Sequence, residues 1–349
     1  MKVYKHIFDS IIAPENLFSA WDAFKSGKLN KKDVQYFEWR LEQNIFALHR
    51  DLKHKIYVHQ PYTGFYITDP KRRHIHKASV RDRILHHAVY SILNPLFETT
   101  FIPTSFSCRV GFGSHKGVEV FERMTKKVSR NGKRPCYVLK CDVRKFFDSI
   151  DHHILLSIIE KRIKDPDVMW LLKEIIKSFE SGRSAVRAVG IPIGNLTSQL
   201  FANVYMNEFD QFMKHELRVK YYARYTDDFI IVSEDKQYLE HLLPLISQFL
   251  KDTLALELHP NKSILLSICQ GIDFLGYVVF PHHRLLRTKT KRRLMKKMKQ
   301  RMKQYEEKII SYNTFNASLQ SYLGMFSHAN TYEFQKKFLN QFWVYRDRE

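Results

Sequence analysis

Three aspartates carry the chemistry worth asking about in this chain. Asp142 closes the apolar run "YVLKCD", and Asp227 and Asp228 stand side by side in "RYTDDFIIV". An isolated Asp-Asp between apolar runs reads most plainly as a turn, because Asp tolerates turn geometry. Carboxylates gathered at strand ends read differently. Mg²⁺ takes a few carboxylates and leaves positions open for substrate phosphates. Three of them supply what a two-metal phosphoryl transfer needs, with ions about 4 Å apart activating a hydroxyl and steadying a leaving pyrophosphate. On this reading Asp227 is the main ligand of the pair, Asp228 supports it, and the backbone carbonyl of Val143 completes the shell.

Such a site needs strands to hold it. Residues 222–225 and 229–232 are β-branched and aromatic and read as the arms of a hairpin with the two aspartates at its tip. The stretch "CYVLKCDVRKFFDSIDHHILLSIIEKRI" reads as strand, tight turn and helix. Upstream, residues 1 to about 60 are helical, with Leu41, Ile45, Leu48 and Leu52 on one buried face. Short strands with turns at Thr63-Gly64 and Asp69-Pro70 then lead into a helix from about Val80. Further helices are expected over 168–179 and 237–252, and "AVGIPIGNLTSQLFANVYMNEFDQFM" reads as a loop opening into a long amphipathic helix. "LALELHPNKSILL" and "IDFLGYVVF" read as strands. Eleven Lys or Arg crowd residues 284–303, with Leu294, Met295, Met298 and Met302 at helical spacing, which predicts a basic amphipathic helix. Changes of character divide the chain into 1–134, 135–283 and 284–349.

Composition narrows the partners. Lys plus Arg total 57 against 36 acidic residues, a formal net charge of +21, which is far from a typical metabolic enzyme and predicts a polyanion, nucleic acid first and an anionic membrane surface second. Cys108, Cys136, Cys141 and Cys269 lack C-x-x-C spacing and read as reduced thiols of a cytosolic protein. Asp9 and Pro14 interrupt the first residues before a signal-peptide run develops, and no stretch of about 18 apolar residues predicts a membrane span.

The order of these elements resembles the reverse transcriptases. Their palm carries an Asp-x-x-x-x-[Phe/Tyr] strand and a Tyr-x-Asp-Asp hairpin, here Asp142 to Phe147 and Tyr225 to Asp228, with 85 residues between Asp142 and Asp227. "PKRRHIHKASVRDRILHHAV" and "SFSCRVGFGSHKG" resemble the fingers segments, "LHPNKS" the motif whose lysine faces the incoming triphosphate, and "FLGY" the primer grip. The resemblance runs from about residue 10 to 285. It implies an α+β right-hand polymerase: fingers in 1–134, a palm with an antiparallel sheet in 135–283, and a short helical thumb in 284–349. It also implies RNA-templated DNA synthesis from dNTPs on a DNA primer, with two Mg²⁺ ions for which Mn²⁺ can substitute. Asp142, Asp227 and Asp228 would be catalytic. Phe147 becomes the aromatic gate that refuses a 2′-hydroxyl, with Phe146 in the core, and Lys71 and Arg73 the cations on the β and γ phosphates. Lys262 would give a proton to pyrophosphate or neutralise it. Phe274, Leu275, Gly276 and Tyr277 would form the primer grip, and Arg292, Arg293, Lys296, Lys297 and Lys299 would lie along template–primer phosphates.

One departure narrows the resemblance. Most bacterial and intron relatives read Pro-Gln-Gly-x-x-x-Ser-Pro in the nucleotide-pocket loop, whereas this chain has "PIGNLTSQ", with Ile193 before Gly194 and Gln199 in the last place. An alkyl side chain cannot supply the hydrogen bond of an amide, and discrimination built on apolar shape is the weaker kind. The pattern resembles the reverse transcriptases of diversity-generating retroelements, bacterial or phage-encoded, which miscopy template adenines during mutagenic retrohoming. That group implies a template RNA from the same element and a small basic accessory protein, in the cytoplasm and away from membranes. Two alternatives stay open: a defence-associated enzyme copying a noncoding RNA, and a non-catalytic RNA-binding protein with a relic palm.

Overall fold

The computed structural model describes residues 2–69, 71–182 and 187–342. Pro70 of the expected Asp69-Pro70 turn lies outside them, as do residues 343–349 of the basic C-terminal segment. The chain adopts the expected α+β class, with helices around antiparallel sheets. Four helices open it: α1 (Phe8–Ile12), α2 (Pro14–Lys25), α3 (Lys32–Trp39) and α4 (Leu41–Lys53). Ile45, Leu48 and Leu52 turn inward from α4, as their spacing requires, and Leu41 packs against the same core. An exposed hairpin follows, β1 (Thr63–Ile67) and β2 (Arg73–Lys77), and then α5 (Val80–Glu98), whose Ser79 cap accepts from the Asp82 N–H. Helix α6 (Ser114–Val128) completes the first third.

A four-stranded antiparallel sheet holds the centre, built from β3 (Tyr137–Asp142), β4 (Tyr222–Tyr225), β5 (Asp228–Ser233) and β6 (Ile264–Ser267) in the order β4-β5-β3-β6. Both faces are covered, which is why its strands read as nearly unbroken apolar runs. Leu139, Cys141, Phe229 and Ile231 face one core, and Val138, Ile230 and Val232 face another. The first core is filled by the N-terminal helices together with α8 (His152–Glu160), α9 (Pro166–Lys177), α10 (Leu196–Gln211) and α11 (Lys236–Leu254); a short α7 (Phe146–Ser149) precedes them. The second is filled by α6, by the small sheet β7 (Ile272–Phe274), β8 (Tyr277–Val279) and β9 (Arg284–Leu286), and by α12 (Thr288–Glu306), α13 (Tyr312–Phe326) and α14 (Tyr332–Phe342). Strand β9 pairs with β8 across residue 283, so sheet and helices share one core there.

Two local expectations differ from what forms. Helix α10 is not amphipathic: Leu200 through Met206 are all buried, because α10 runs through the first core instead of along its surface. The "LALELH" segment makes no strand. Only Leu258 bridges to Val143, since the chain crosses the end of β3 once and moves on.

Candidate active site

The register of β3 on β5 decides the geometry. Asp142 pairs directly with Asp228, and Tyr225 pairs with Asp228 on the other side. The tip of the hairpin is therefore Thr226 and Asp227, and Asp228 belongs to the strand, one step from where the sequence pattern put it. Like charges opposite one another across a ladder repel. Asp142 is buried, and the other two are half-buried. Burial first, then the Asp228 and Asp142 charges, push the Asp227 carboxyl up to about 6. Burial likewise raises Asp228, against the pull of Lys140 and Lys262. A carboxylate trio this poorly neutralised fits a divalent cation. Among the described residues no three His, Cys, Asp or Glu side chains converge tightly enough to enclose an ion. The cation at hand is the Lys262 ammonium, 2.8 Å from Asp142 Oδ1.

The backbone lashes these groups together. The Val143 N–H donates to the Asp227 carbonyl at 3.1 Å, and the His259 N–H donates to the Asp142 carbonyl at 2.7 Å. The second bond anchors the loop that carries Lys262, whose own N–H donates to the His259 carbonyl at 3.1 Å.

Beneath the tip lies an ion pair that the sequence reading missed. Arg224 and Asp210 have no exposed side-chain surface, and the guanidinium meets the carboxylate through Nε at 2.7 Å and Nη2 at 2.5 Å. Arg224 Nη1 donates to the Thr226 carbonyl at 3.0 Å, Nη2 donates to Ser105 Oγ at 3.0 Å, and the Tyr222 hydroxyl donates to Asp210 at 2.7 Å. Thr226 sits at φ 57°, a conformation that strains a β-branched residue, and it is held by Arg224 and by its Oγ1 donating to Ser107 Oγ at 2.5 Å. The signal was available: a lone arginine inside an apolar strand and a lone aspartate inside a buried helix.

The loop of residues 192–199 is tied to the β1–β2 hairpin. The His76 N–H on β2 donates to the Ile193 carbonyl at 3.1 Å, and the Asn195 side-chain amide donates to the His76 carbonyl at 3.1 Å. Gly194 has φ 115°, and a Cβ there would come within 2.8 Å of Ile75, so both backbone and packing ask for glycine. Ile193 is half-buried and Gln199 exposed on the first turn of α10. The Ile191 N–H donates to the carbonyl of Phe147, which is half-buried beside the buried Phe146 at a ring separation of 5.4 Å. On the exposed hairpin Arg72 lies over the Tyr66 ring at 4.3 Å, while Lys71 and Arg73 have no carboxylate partner among the described residues.

Phe274 and Tyr277 are buried, and the turn between them leaves Leu275 and Gly276 half-buried, both at positive φ. On α12, Arg293 and Lys297 contact Asp69 at the tip of the β1–β2 hairpin, whereas Arg292, Lys296 and Lys299 are exposed without a carboxylate partner among the described residues.

Three carboxylates gathered at the ends of paired strands, with the Lys262 ammonium on one of them, form the most charged cluster of the central sheet. A family described as reverse transcriptase (RNA-dependent DNA polymerase) matches residues 68–279, and the chain belongs to it. Dependence on divalent metal is general in that class. The chain is 26% identical over 289 residues to Protein YkfC of Escherichia coli, covering 72% of this chain and 74% of that one. It is 24% identical over 336 residues to the group II intron-encoded protein LtrA of Lactococcus lactis, covering 76% of this chain and 54% of LtrA, so it spans about half of LtrA's length. Among solved structures, a telomerase from Candida albicans aligns with a TM-score of 0.49 and 12% identity, over 76% of this chain and 55% of that one. No described helix is long and apolar enough to cross a membrane.

Proposed function

We propose that this chain extends a DNA primer on an RNA template with loose base selection opposite template adenines, as part of a diversity-generating retroelement. Asp142, Asp227, Asp228 and the Val143 carbonyl would hold two Mg²⁺ ions, which would supply Lewis-acid activation of the primer hydroxyl and charge neutralisation at pyrophosphate. Lys71 and Arg73 bind the triphosphate. The Phe147 ring lies under the sugar and refuses a 2′-hydroxyl. Lys262, drawn to Asp142 in this structure, turns to the leaving pyrophosphate when substrate is present. The thumb cations run along the template–primer, and a small basic accessory protein joins the assembly.

The observation that carries the low-fidelity reading is Ile193. Its backbone is clamped to β2 and its side chain is an alkyl group, so the position offers a base or sugar shape and no hydrogen bond. The test is primer extension on RNA with Mg²⁺ and dNTPs, followed by sequencing of cDNA from wild type and Ile193→Gln. Errors concentrated opposite adenine and reduced by the glutamine are expected. Accurate cDNA from both proteins would overturn the mutagenic reading and leave an ordinary reverse transcriptase.

A further inference from the structure

A second concentration of charge lies at the far end of the central sheet, five residues along β5 from Asp228 and roughly 17 Å away at the usual strand rise. A cleft of about 450 Å³ opens there between the C-terminal end of α6, the link from α10 to β4, and the start of α11. Its rim carries Lys127, Arg130, Arg134, Arg218 and Lys220. Against them stands one acid, Glu234, already paired with Arg134 at 3.0 Å. Lys127, Arg130 and Arg218 are exposed and have no carboxylate partner among the described residues. Arg130 and Arg218 hold left-handed backbone, at φ 49° and 50°, where glycine would be at ease; a cation is kept there at some conformational cost.

Two tyrosines complete the cleft. Tyr221 is half-buried with the Lys220 ammonium 5.4 Å from its ring, and Tyr238 is exposed at the first turn of α11. Cations that track a backbone, interleaved with rings on which bases stack, are the recognition chemistry of a single nucleic-acid strand. An acidic protein surface would use the cations and have no need of the rings.

We propose that this cleft binds a single-stranded stretch of nucleic acid outside the polymerising centre, with phosphates on Lys127, Arg130, Arg218 and Lys220 and bases against Tyr221 and Tyr238. The proposal rests on the chain being an RNA-directed polymerase, whose long polyanion at hand is the template RNA; the product cDNA shares the same chemistry.

The test irradiates the full chain with a 30-nucleotide single-stranded RNA carrying 4-thiouridine, and with its DNA counterpart carrying 4-thiothymidine, and locates crosslinks by mass spectrometry. RNA crosslinks to the peptides holding Tyr221 and Tyr238 are expected; crosslinks from DNA alone would assign the cleft to the product strand. Lys127→Glu/Arg130→Glu/Arg218→Glu should lose them, weaken RNA binding about tenfold at 0.1 M salt, and flatten the log K against log salt slope by about 2. Tyr238→Ala should weaken binding a few-fold with the slope unchanged. Lys32→Glu/Lys53→Glu/Lys173→Glu, with the same change in net charge, should leave slope and crosslinks alone. Extension of a short preformed template–primer should be unaffected by the first triple change, and it reports on the polymerising centre separately. No crosslink in the cleft, an unchanged slope, or an equal slope change in the control triple would overturn the proposal and leave these cations to an acidic protein surface or to net charge.

Discussion

Arg224 and Asp227 stand three residues apart on one hairpin, yet their charges are treated in opposite ways. Arg224 is fully buried, and its guanidinium is satisfied by Asp210, Ser105 and the Thr226 carbonyl. Asp227 is half-buried against two further carboxylates, with the Lys262 ammonium seated on Asp142 and Lys140 pulling on Asp228. The first arrangement offsets desolvation with good hydrogen-bond geometry and leaves nothing to react. The second leaves negative charge poorly balanced and open to a cation. The difference teaches a division of labour within one hairpin: the paired cluster holds the strained Thr226, and the neighbouring carboxylates stay poorly balanced beside it.

The comparison breaks most completely at Asp227. Asp227→Asn should reduce primer extension by about a thousandfold or more, because the lost interaction is worth several kcal/mol in the transition state. Retained activity would remove Asp227 from the site.

Next comes Arg224→Met, which strands Asp210 as a buried unpaired charge. It should cost on the order of 3–5 kcal/mol, seen as a loss of many degrees in melting temperature. Arg224→Met/Asp210→Leu should recover most of that stability and leave activity low, since no group then holds the Thr226 carbonyl. Full activity in the double variant would deny Arg224 its positioning role.

A smaller effect follows from the raised Asp227 carboxyl. The folded protein keeps that proton up to a pH of about 6, while the unfolded chain releases it near 3.8. The folded state thus binds more protons in between, and the contribution to stability, present below 3.8, is lost as pH rises through 6. Without metal, the melting temperature of Asp227→Asn minus that of wild type should grow from pH 4.5 to pH 7, by the equivalent of about 2 kcal/mol. Taking the difference cancels the buried histidines. A flat difference would contradict the assigned charge balance.

The smallest effect concerns Asp69, whose contacts with Arg293 and Lys297 lie at the surface. Asp69→Asn should leave the melting temperature within a degree or so. It should tighten template–primer binding a few-fold in low salt, because Arg293 and Lys297 are released. Unchanged affinity would separate those cations from nucleic-acid binding.

Local patterns made much of the fold legible. The strand ending at Asp142, the two arms of the hairpin, the helix beginning at Val80 and the basic helix after residue 287 all follow from apolar spacing and a capping serine, which are properties of neighbouring residues. The order and spacing of the three aspartates, more than their residue types, marked them as a set. Tertiary structure decided the rest. The ladder register put Asp228 opposite Asp142 and left Thr226 and Asp227 at the tip. Burial enclosed Phe274 and Tyr277 and turned α10 into a core helix. Contacts distant in the chain joined Arg224 to Ser105 and Ile193 to His76. Side-chain chemistry and periodicity are written into short stretches of sequence, whereas register, burial and long-range pairing arise only when separate stretches compete for the same space.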